Sequence, residues 1–214
     1  MTYKQKIPFF SVIITTFNRA TSVVNALDSV LEQSFTNFEV IIVDDGSTDD
    51  TFCRLKSYID SNKNVFYFYQ ENKKQSEAKN LGIRKAKGVY FTFLDSDDTY
   101  HKNHLFTRYT LLSNENIDLL HGGVEIIGNQ YVPDIYDNQN LIHLSECVIG
   151  GTFFIKGSLI AKIGFFDRVD YGDDTCYFNK CISSKLIIGK TNIKTYIYNR
   201  NSLDSICNII VNQK

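Results

Sequence analysis

No apolar run in the 214 residues approaches the roughly 20 needed to cross a bilayer; the longest, at 9–17 and 89–94, are strand-length. Nor does the N-terminus read as a secretory leader, since Lys4 and Lys6 lead into a β-like run with no small-residue cleavage site. A cytoplasmic protein is the expectation. Charge of one sign is also lacking: a formal net charge of −1 gives no general attraction for nucleic acid or an anionic membrane, so any phosphate recognition must be local. Five cysteines (Cys53, Cys147, Cys176, Cys181, Cys207) form an odd set without a Cys-x-x-Cys pair, which excludes a disulfide framework and a thiolate zinc site; buried thiols are expected. The four histidines, His101, His104, His121 and His143, offer no metal-binding pair on one helical face, and surface roles are expected for His101 and His104. With only Pro8 and Pro133, nothing marks a linker, and no repeat appears. Absent too are a Gly-x-Gly-x-x-Gly loop, a phosphate loop ending in Gly-Lys-Ser, and a nucleophile elbow.

What is present suits one globular domain spanning 1–214: 43% hydrophobic and 22% charged residues can close a full core. The first half alternates β-rich runs with amphipathic helical stretches, the pattern of a parallel sheet covered by helices. Strands are expected at 11–17, 38–43, 64–69 and 89–94. Between them helices are expected at 21–33, from about Thr51 behind a cap supplied by Ser47-Thr48-Asp49-Asp50, and at 75–87. Gly88 is expected to close that last helix with positive φ. Beyond Asn116 the pattern loosens. A hairpin of 118–127 with 130–136 around Gly128-Asn129 is expected, then strands 150–155 and 191–198 and helices 158–163 and 173–183. This half is read as an extension of the same sheet.

Polar residues gather at the carboxyl ends of the strands, the edge where open α/β sheets bind ligands. Asp95-Ser96-Asp97-Asp98 follows one strand, and strand periodicity would put Asp95 and Asp97 on one side to share a cation. Carboxylates match Mg²⁺ or Mn²⁺, commonly completed by substrate phosphates. Asp44-Asp45-Gly46-Ser47 ends a second strand, with Gly46 permitting a tight turn; Thr15, Thr16 and Phe17 end a third. Capping alone explains each segment taken singly, whereas their convergence favours a ligand crevice. Asp173-Asp174 opens a helix, either as first-turn acids or with a general base among them. Gly150 and Gly151 before Thr152 would let substrate approach the backbone or would simply begin a strand.

In order, these segments resemble family 2 glycosyltransferases of the GT-A fold, inverting enzymes that use nucleotide-activated sugars. The resemblance is carried by residues 11–19, Val43-Asp44-Asp45-Gly46-Ser47-Thr48-Asp49, Gln70-Glu71-Asn72, Ala78-Lys79-Asn80-Leu81-Gly82-Ile83, Ala86-Lys87-Gly88 and Phe93-Leu94-Asp95-Ser96-Asp97-Asp98. It is dense over about 9–112, the expected nucleotide-sugar half, with 113–214 a smaller acceptor-side half. It implies a Rossmann-like, mostly parallel sheet flanked by helices. It further implies a donor site of Thr15, Phe17, Asn18, Asp45, Lys79, Asp95, Ser96 and Asp97, with Asp45 facing the base. Asp97 would be the principal ligand of Mn²⁺ or Mg²⁺, with Asp95 beside it; Asp174 would be the base; Gly151, Thr152 and Asp173 would lie on the acceptor side. Phe165-Phe166-Asp167 is similar to a further acceptor-side segment, and Tyr198, Arg200 and Ser205-Ile206 to a tail that covers the donor. The implied partners are a nucleotide sugar, most simply a UDP-sugar, and a glycan or lipid-linked acceptor. The implied setting is polysaccharide or surface-glycan synthesis in the cytoplasm, with room for peripheral attachment to the inner membrane face.

The sequence departs from the pattern. Lys73-Lys74-Gln75 and Lys79 stand where the family usually has Gly and Arg, and Lys79 meets a phosphate as a point charge without the planar fork. Asp173 stands where Glu is commoner, and the chain ends soon after the tail motif, so segments of longer relatives are expected to be missing. A silent sugar-nucleotide-binding module and a nucleotidyltransferase are the competing readings, the latter preferring a basic, glycine-rich loop where Thr16-Phe17-Asn18-Arg19 stands.

Overall fold

The structure, a computed structural model, describes residues 7–137, 139–201, 205, 207, 208 and 210; Lys4, Lys6 and Ile206 lie outside them. β1 (Phe10–Thr16), α1 (Ser22–Leu31), β2 (Phe38–Asp44), α2 (Thr51–Ser61), β3 (Val65–Tyr69), α3 (Lys74–Lys85) and β4 (Tyr90–Asp95) build the first half. There follow β5 (Thr99–Tyr100), α4 (His104–Asn114), β6 (Leu119–His121), β7 (Val124–Gly128), β8 (Tyr131–Pro133), β9 (Leu141–His143), β10 (Phe154–Lys156), α5 (Ile160–Ile163), α6 (Asp173–Ser183), β11 (Ile188–Lys190) and β12 (Tyr196–Arg200). The main sheet runs β11-β6-β10-β4-β1-β2-β3 and is parallel except for β10. Because helices cover both faces, its central strands read as unbroken apolar runs. Val12 and Ile14 pack with Val23, Ala26, Leu27 and Val30 of α1 on one face. Ile13 turns to the other, against Ala78 and Ile83 of α3 and, in the same cluster, Tyr177 and Cys181 of α6. Each such fully buried aliphatic side chain contributes about 1.5–3 kcal/mol.

Several expectations are corrected. Segments 118–127 and 130–136 form no hairpin, because β6 joins the main sheet, β7 pairs in parallel with β12, and β8 pairs with β9. The second half thus extends the sheet only through β6, β10 and β11; β5, β12 and β7 make a second, three-stranded sheet. Of the stretch expected as strand 191–198 only 196–198 is strand, in β12, while 191–195 is irregular, and Gly150–Thr152 is a 3-10 turn ahead of β10. Gly88 does not take positive φ; its hydrogen instead admits β1, since a Cβ there would lie 2.6 Å from the Ser11 nitrogen. Asp49 alone caps α2, accepting from the Thr51 amide at 3.1 Å and hydroxyl at 2.6 Å. Of the cysteines, Cys181 is buried and Cys53 exposed. His104 is fully buried, stacked on Tyr100 with ring centroids 4.0 Å apart.

Candidate active site

Register brings the expected residues to one edge. On β1, Thr15 lies opposite Val43 of β2 and Asp95 of β4, and Thr16 lies opposite Asp44. Asp44 is structural: it accepts from the Ser47 amide at 2.7 Å and the Tyr67 hydroxyl at 2.6 Å. Gly46, at φ +91°, then turns the chain so that Asp45 faces residues 70–73. The Asp45 carboxylate is buried and accepts from Gln70 Nε2 at 2.6 Å and the Lys73 amide at 2.9 Å. Two residues further, Gln75 Nε2 donates to Asp95 at 3.0 Å. Segment 70–75 therefore stitches Asp45 to Asp95, with Phe17 exposed beside the strand end. Asn18 ties this loop to its neighbour, accepting from the Thr48 amide and donating its own amide to Ser47 Oγ, both at 2.8 Å.

Within the acidic turn the four residues divide their work. Ser96 is buried, and Asp97 pairs with Arg19 at 3.0 Å. Asp98 is buried and accepts from Tyr196 Oη at 2.5 Å and the Asn199 amide at 2.8 Å, which fastens β12 to this turn. Burial, and then the neighbouring Asp95 and Asp97, hold its carboxyl well above the usual range. Burial pushes the Asp95 carboxyl up to about 6; Lys79 opposes the rise, while Asp97, Asp173 and Asp174 add to it. So four carboxylates crowd one place, a surplus of negative charge that a cation would relieve.

The second half reaches this place through α6. Lys79, buried beneath the Phe93 and Phe166 rings, pairs with Asp173 at 2.8 Å. Burial works to lower the Lys79 pKa, but Asp173, Asp95 and Asp174 outweigh it and raise it, so the side chain stays charged. Asp174 accepts from the Gly150 amide at 3.1 Å and the Thr175 amide at 2.7 Å. Its carboxyl is raised, by burial first and Asp173 second. Asp95 and Asp174 both remain partly accessible to solvent. Between the two halves runs Gly150-Gly151. A Cβ on Gly150 would lie 2.8 Å from Asp174 Cβ, and one on Gly151 would lie 2.2 Å from Tyr196 Oη. The Thr152 hydroxyl is engaged internally, donating to the Ile149 carbonyl at 2.7 Å and accepting from the Gly122 amide at 3.0 Å. Asp167 pairs with Lys180 at 2.6 Å, and Phe166 exchanges two backbone hydrogen bonds with the Asn80 side chain. Arg200, of the expected tail, is buried and donates to Ser205 Oγ at 3.2 Å.

Sequence reasoning missed Arg19, Gln70, Gln75, Asp98 and Tyr196 as builders of the site. Arg19, Gln70 and Asp98 lay inside recognisable segments, but no spacing ties Gln75 or Tyr196 to the acids they touch, 20 and 98 positions away.

A profile of the family described as "Glycosyl transferase family 2" matches residues 11–168. A protein of Rickettsia felis described as an uncharacterized glycosyltransferase is 37% identical over 187 residues, covering 84% of this chain and 31% of its own length. The chain thus spans about a third of that relative. Among solved structures, Staphylococcus aureus TarS 1-349 in complex with UDP-GlcNAc superposes with a TM-score of 0.77 at 21% identity, over 92% of this chain and 60% of that one. The Pyrobaculum calidifontis mannosyltransferase PcManGT, in complex with GDP-Man and Mn²⁺, gives 0.68 at 18% identity, over 90% and 57%. At these identities the two likenesses concern the fold, which is the expected mostly parallel α/β sheet flanked by helices.

Proposed function

The chain belongs to glycosyl transferase family 2, and from that premise we propose that it moves a sugar from a nucleoside diphosphate donor to an acceptor hydroxyl, inverting the anomeric carbon. One observation carries the reading: Asp45 and Asp95 flank the end of β1, and the Lys79–Asp173 pair brings Asp174 to the same edge. Thr15, Phe17 and Asp45 hold the nucleoside. Asp45, its carboxylate fixed by Gln70 and Lys73, presents a rigid acceptor to the base, and Asp95 lies toward the ribose and diphosphate.

The residues fit a divalent cation. Among the described residues no group of three or more His, Cys, Asp and Glu side chains is placed to hold one alone. Asp95 and Asp97 supply two carboxylates and leave the other positions to phosphate oxygens and water, the usual arrangement for Mg²⁺. Mn²⁺ is held in the same way, and the ion would neutralise charge on the departing diphosphate. Arg19, paired with Asp97 at 3.0 Å, adds a fixed positive charge beside that position. Asp174 takes the proton from the acceptor hydroxyl; burial raises its affinity for that proton, which suits a general base. Gly150 and Thr175 donate to its two oxygens and keep the carboxyl aimed.

We extend the proposal to a UDP-sugar as donor and to a glycan or lipid-linked acceptor in surface-polysaccharide synthesis. Cytoplasmic placement, at or near the inner membrane face, completes it and rests on the family resemblance; no helix among the described residues is long and apolar enough to cross a membrane. Incubation with a panel of sugar nucleotides and Mn²⁺ tests the reading. Release of free nucleoside diphosphate, lost in Asp97→Ala or on chelation, is expected. Pyrophosphate release would indicate nucleotidyl transfer, and binding without turnover a silent module.

A further inference from the structure

The crowded edge does not end at Asp174. β6 runs parallel to β4, since both are antiparallel to the β10 between them, and β11 runs parallel to β6. The carboxyl ends of β6 and β11 therefore lie on the same edge as those of β1, β2 and β4, with His121 and Lys190 opposite one another in register. Ligands bind along this edge in open α/β sheets. Here the structure opens a cavity of about 370 Å³, the size of a small-ligand site, lined among others by His121, Glu146, Thr152, Lys190, Asn192 and Lys194. One wall is segment 144–149, and the next residue in the chain, Gly150, donates to Asp174. The cavity and the proposed base thus share one stretch of backbone.

The lining has a definite sign. Lys190 and Lys194 have no ion-pair partner among the described residues, and Glu146 is the one carboxylate in the lining. The His121 ring packs edge-on to Phe178 at 5.0 Å and to Phe153 at 6.5 Å, and its nitrogens have no hydrogen-bond partner among the described residues. Burial, then the Lys190 charge, pushes its pKa down to about 4, so at neutral pH it offers one donor and one acceptor to hydroxyl groups. Two unpaired ammonium groups beside a neutral imidazole and the Asn192 amide are suited to a ring of hydroxyls that carries an anionic group.

We propose that this cavity binds an anionic sugar unit of the acceptor, one bearing phosphate or carboxylate, with Lys190 and Lys194 taking the charge and His121 the hydroxyls. Assigning the occupant to the acceptor rests on the transferase reading above; the anion site itself does not.

Calorimetric titration with glucose 6-phosphate, glucuronic acid and glucose tests it, alongside UDP with Mn²⁺ as an independent report on the donor site. Both anionic probes are expected to bind and neutral glucose is not, with binding weakened by salt. Lys190→Gln combined with Lys194→Gln is expected to weaken the anionic probes by about tenfold or more. UDP affinity and Tm should be unchanged, since both lysines are exposed and outside the donor site. A preference between the two probes names phosphate or carboxylate as the group recognised. Glucose binding as well as the anions, no probe binding at all, or anion binding intact in the double variant would each overturn the proposal. Failure of UDP to bind the wild type would instead overturn the donor-site reading and leave the anion result standing.

Discussion

The two halves are held together by different means. In the first half β1, β2 and β4 run six or seven residues, so the positions of Thr15, Asp45 and Asp95 are fixed by continuous backbone ladders. In the second half β6, β10 and β11 run three residues each, and the proposed base sits on α6, outside the sheet. Beyond the packing of Tyr177 and Cys181, its place is set by side chains reaching across a seam, Lys79 to Asp173, Asn80 to Phe166, Glu77 to Arg168 and Lys74 to Asp170, while Tyr196 to Asp98 fastens β12. A ladder spreads its stability over many bonds, whereas a tether concentrates it in one pair. Damage at the seam should therefore separate catalysis from donor binding, and damage in the ladder should not.

The sharpest break is expected at Asp174. Asp174→Asn keeps the shape and, through its one amide oxygen, a single one of the Gly150 and Thr175 contacts, and it cannot take a proton, so turnover should fall by about 100- to 10,000-fold. UDP affinity measured with Mn²⁺ should stay at the wild-type value. If the two fall together, the halves are not separable and the comparison fails.

Next comes Lys79. It is 4% exposed and its partner Asp173 14%, so removing one charge leaves the other desolvated. Lys79→Ala should cost about 3–5 kcal/mol, a Tm loss of about 6–20 °C by thermal unfolding. Replacing both partners, as Lys79→Met with Asp173→Leu, should recover much of that loss, because no unpaired charge remains. The exposed Lys74–Asp170 pair, and the Glu77–Arg168 pair whose arginine is exposed, should matter far less. A double variant no more stable than Lys79→Ala would show that Lys79 acts through packing rather than charge.

The same contrast explains what the sequence disclosed. Long buried strands announce themselves, so β1, β2, β3 and β4 fell within a residue or two of expectation, and the acids at their ends marked the edge. Strands of three to five residues carry too little periodicity to show their partner, which is why the sequence suggests one hairpin where β7 and β8 belong to different sheets. α6 was legible over 173–183 because eleven residues allow an amphipathic stripe and the acids suit its first turn. The tethers were not legible, because a pair such as Tyr196 and Asp98 is joined only by the path of the folded chain.

A smaller effect is expected at Gly151. A methyl group there would lie 2.2 Å from Tyr196 Oη, and Tyr196, fully buried, has no free volume to yield. Gly151→Ala should cost about 1–3 kcal/mol by overpacking and loosen the Tyr196–Asp98 bond. The loss should appear in Tm and in acceptor-dependent turnover, with UDP affinity retained. Unchanged stability would mean that β12 is not a tether.

The smallest effect is a shift in pH dependence. Burial and Asp173 raise the Asp174 pKa while Lys79 lowers it, so the carboxyl stays protonated to a higher pH than an ordinary aspartate. A base must be ionised to act, and transfer should therefore fall as the pH drops through a point above the usual aspartate range. Lys79→Met removes the opposing charge, and the acid limb of kcat/KM against pH should move to higher pH. Stability runs the other way. A carboxyl whose folded pKa is raised contributes stability fully below the unfolded value and loses it as pH rises through the folded one. Ionising Asp174 for catalysis thus removes stability, and Asp174→Asn should flatten the fall in Tm across that window. Were the limb in Lys79→Met to stay in place or move to lower pH, the charge across the seam would not be tuning the base.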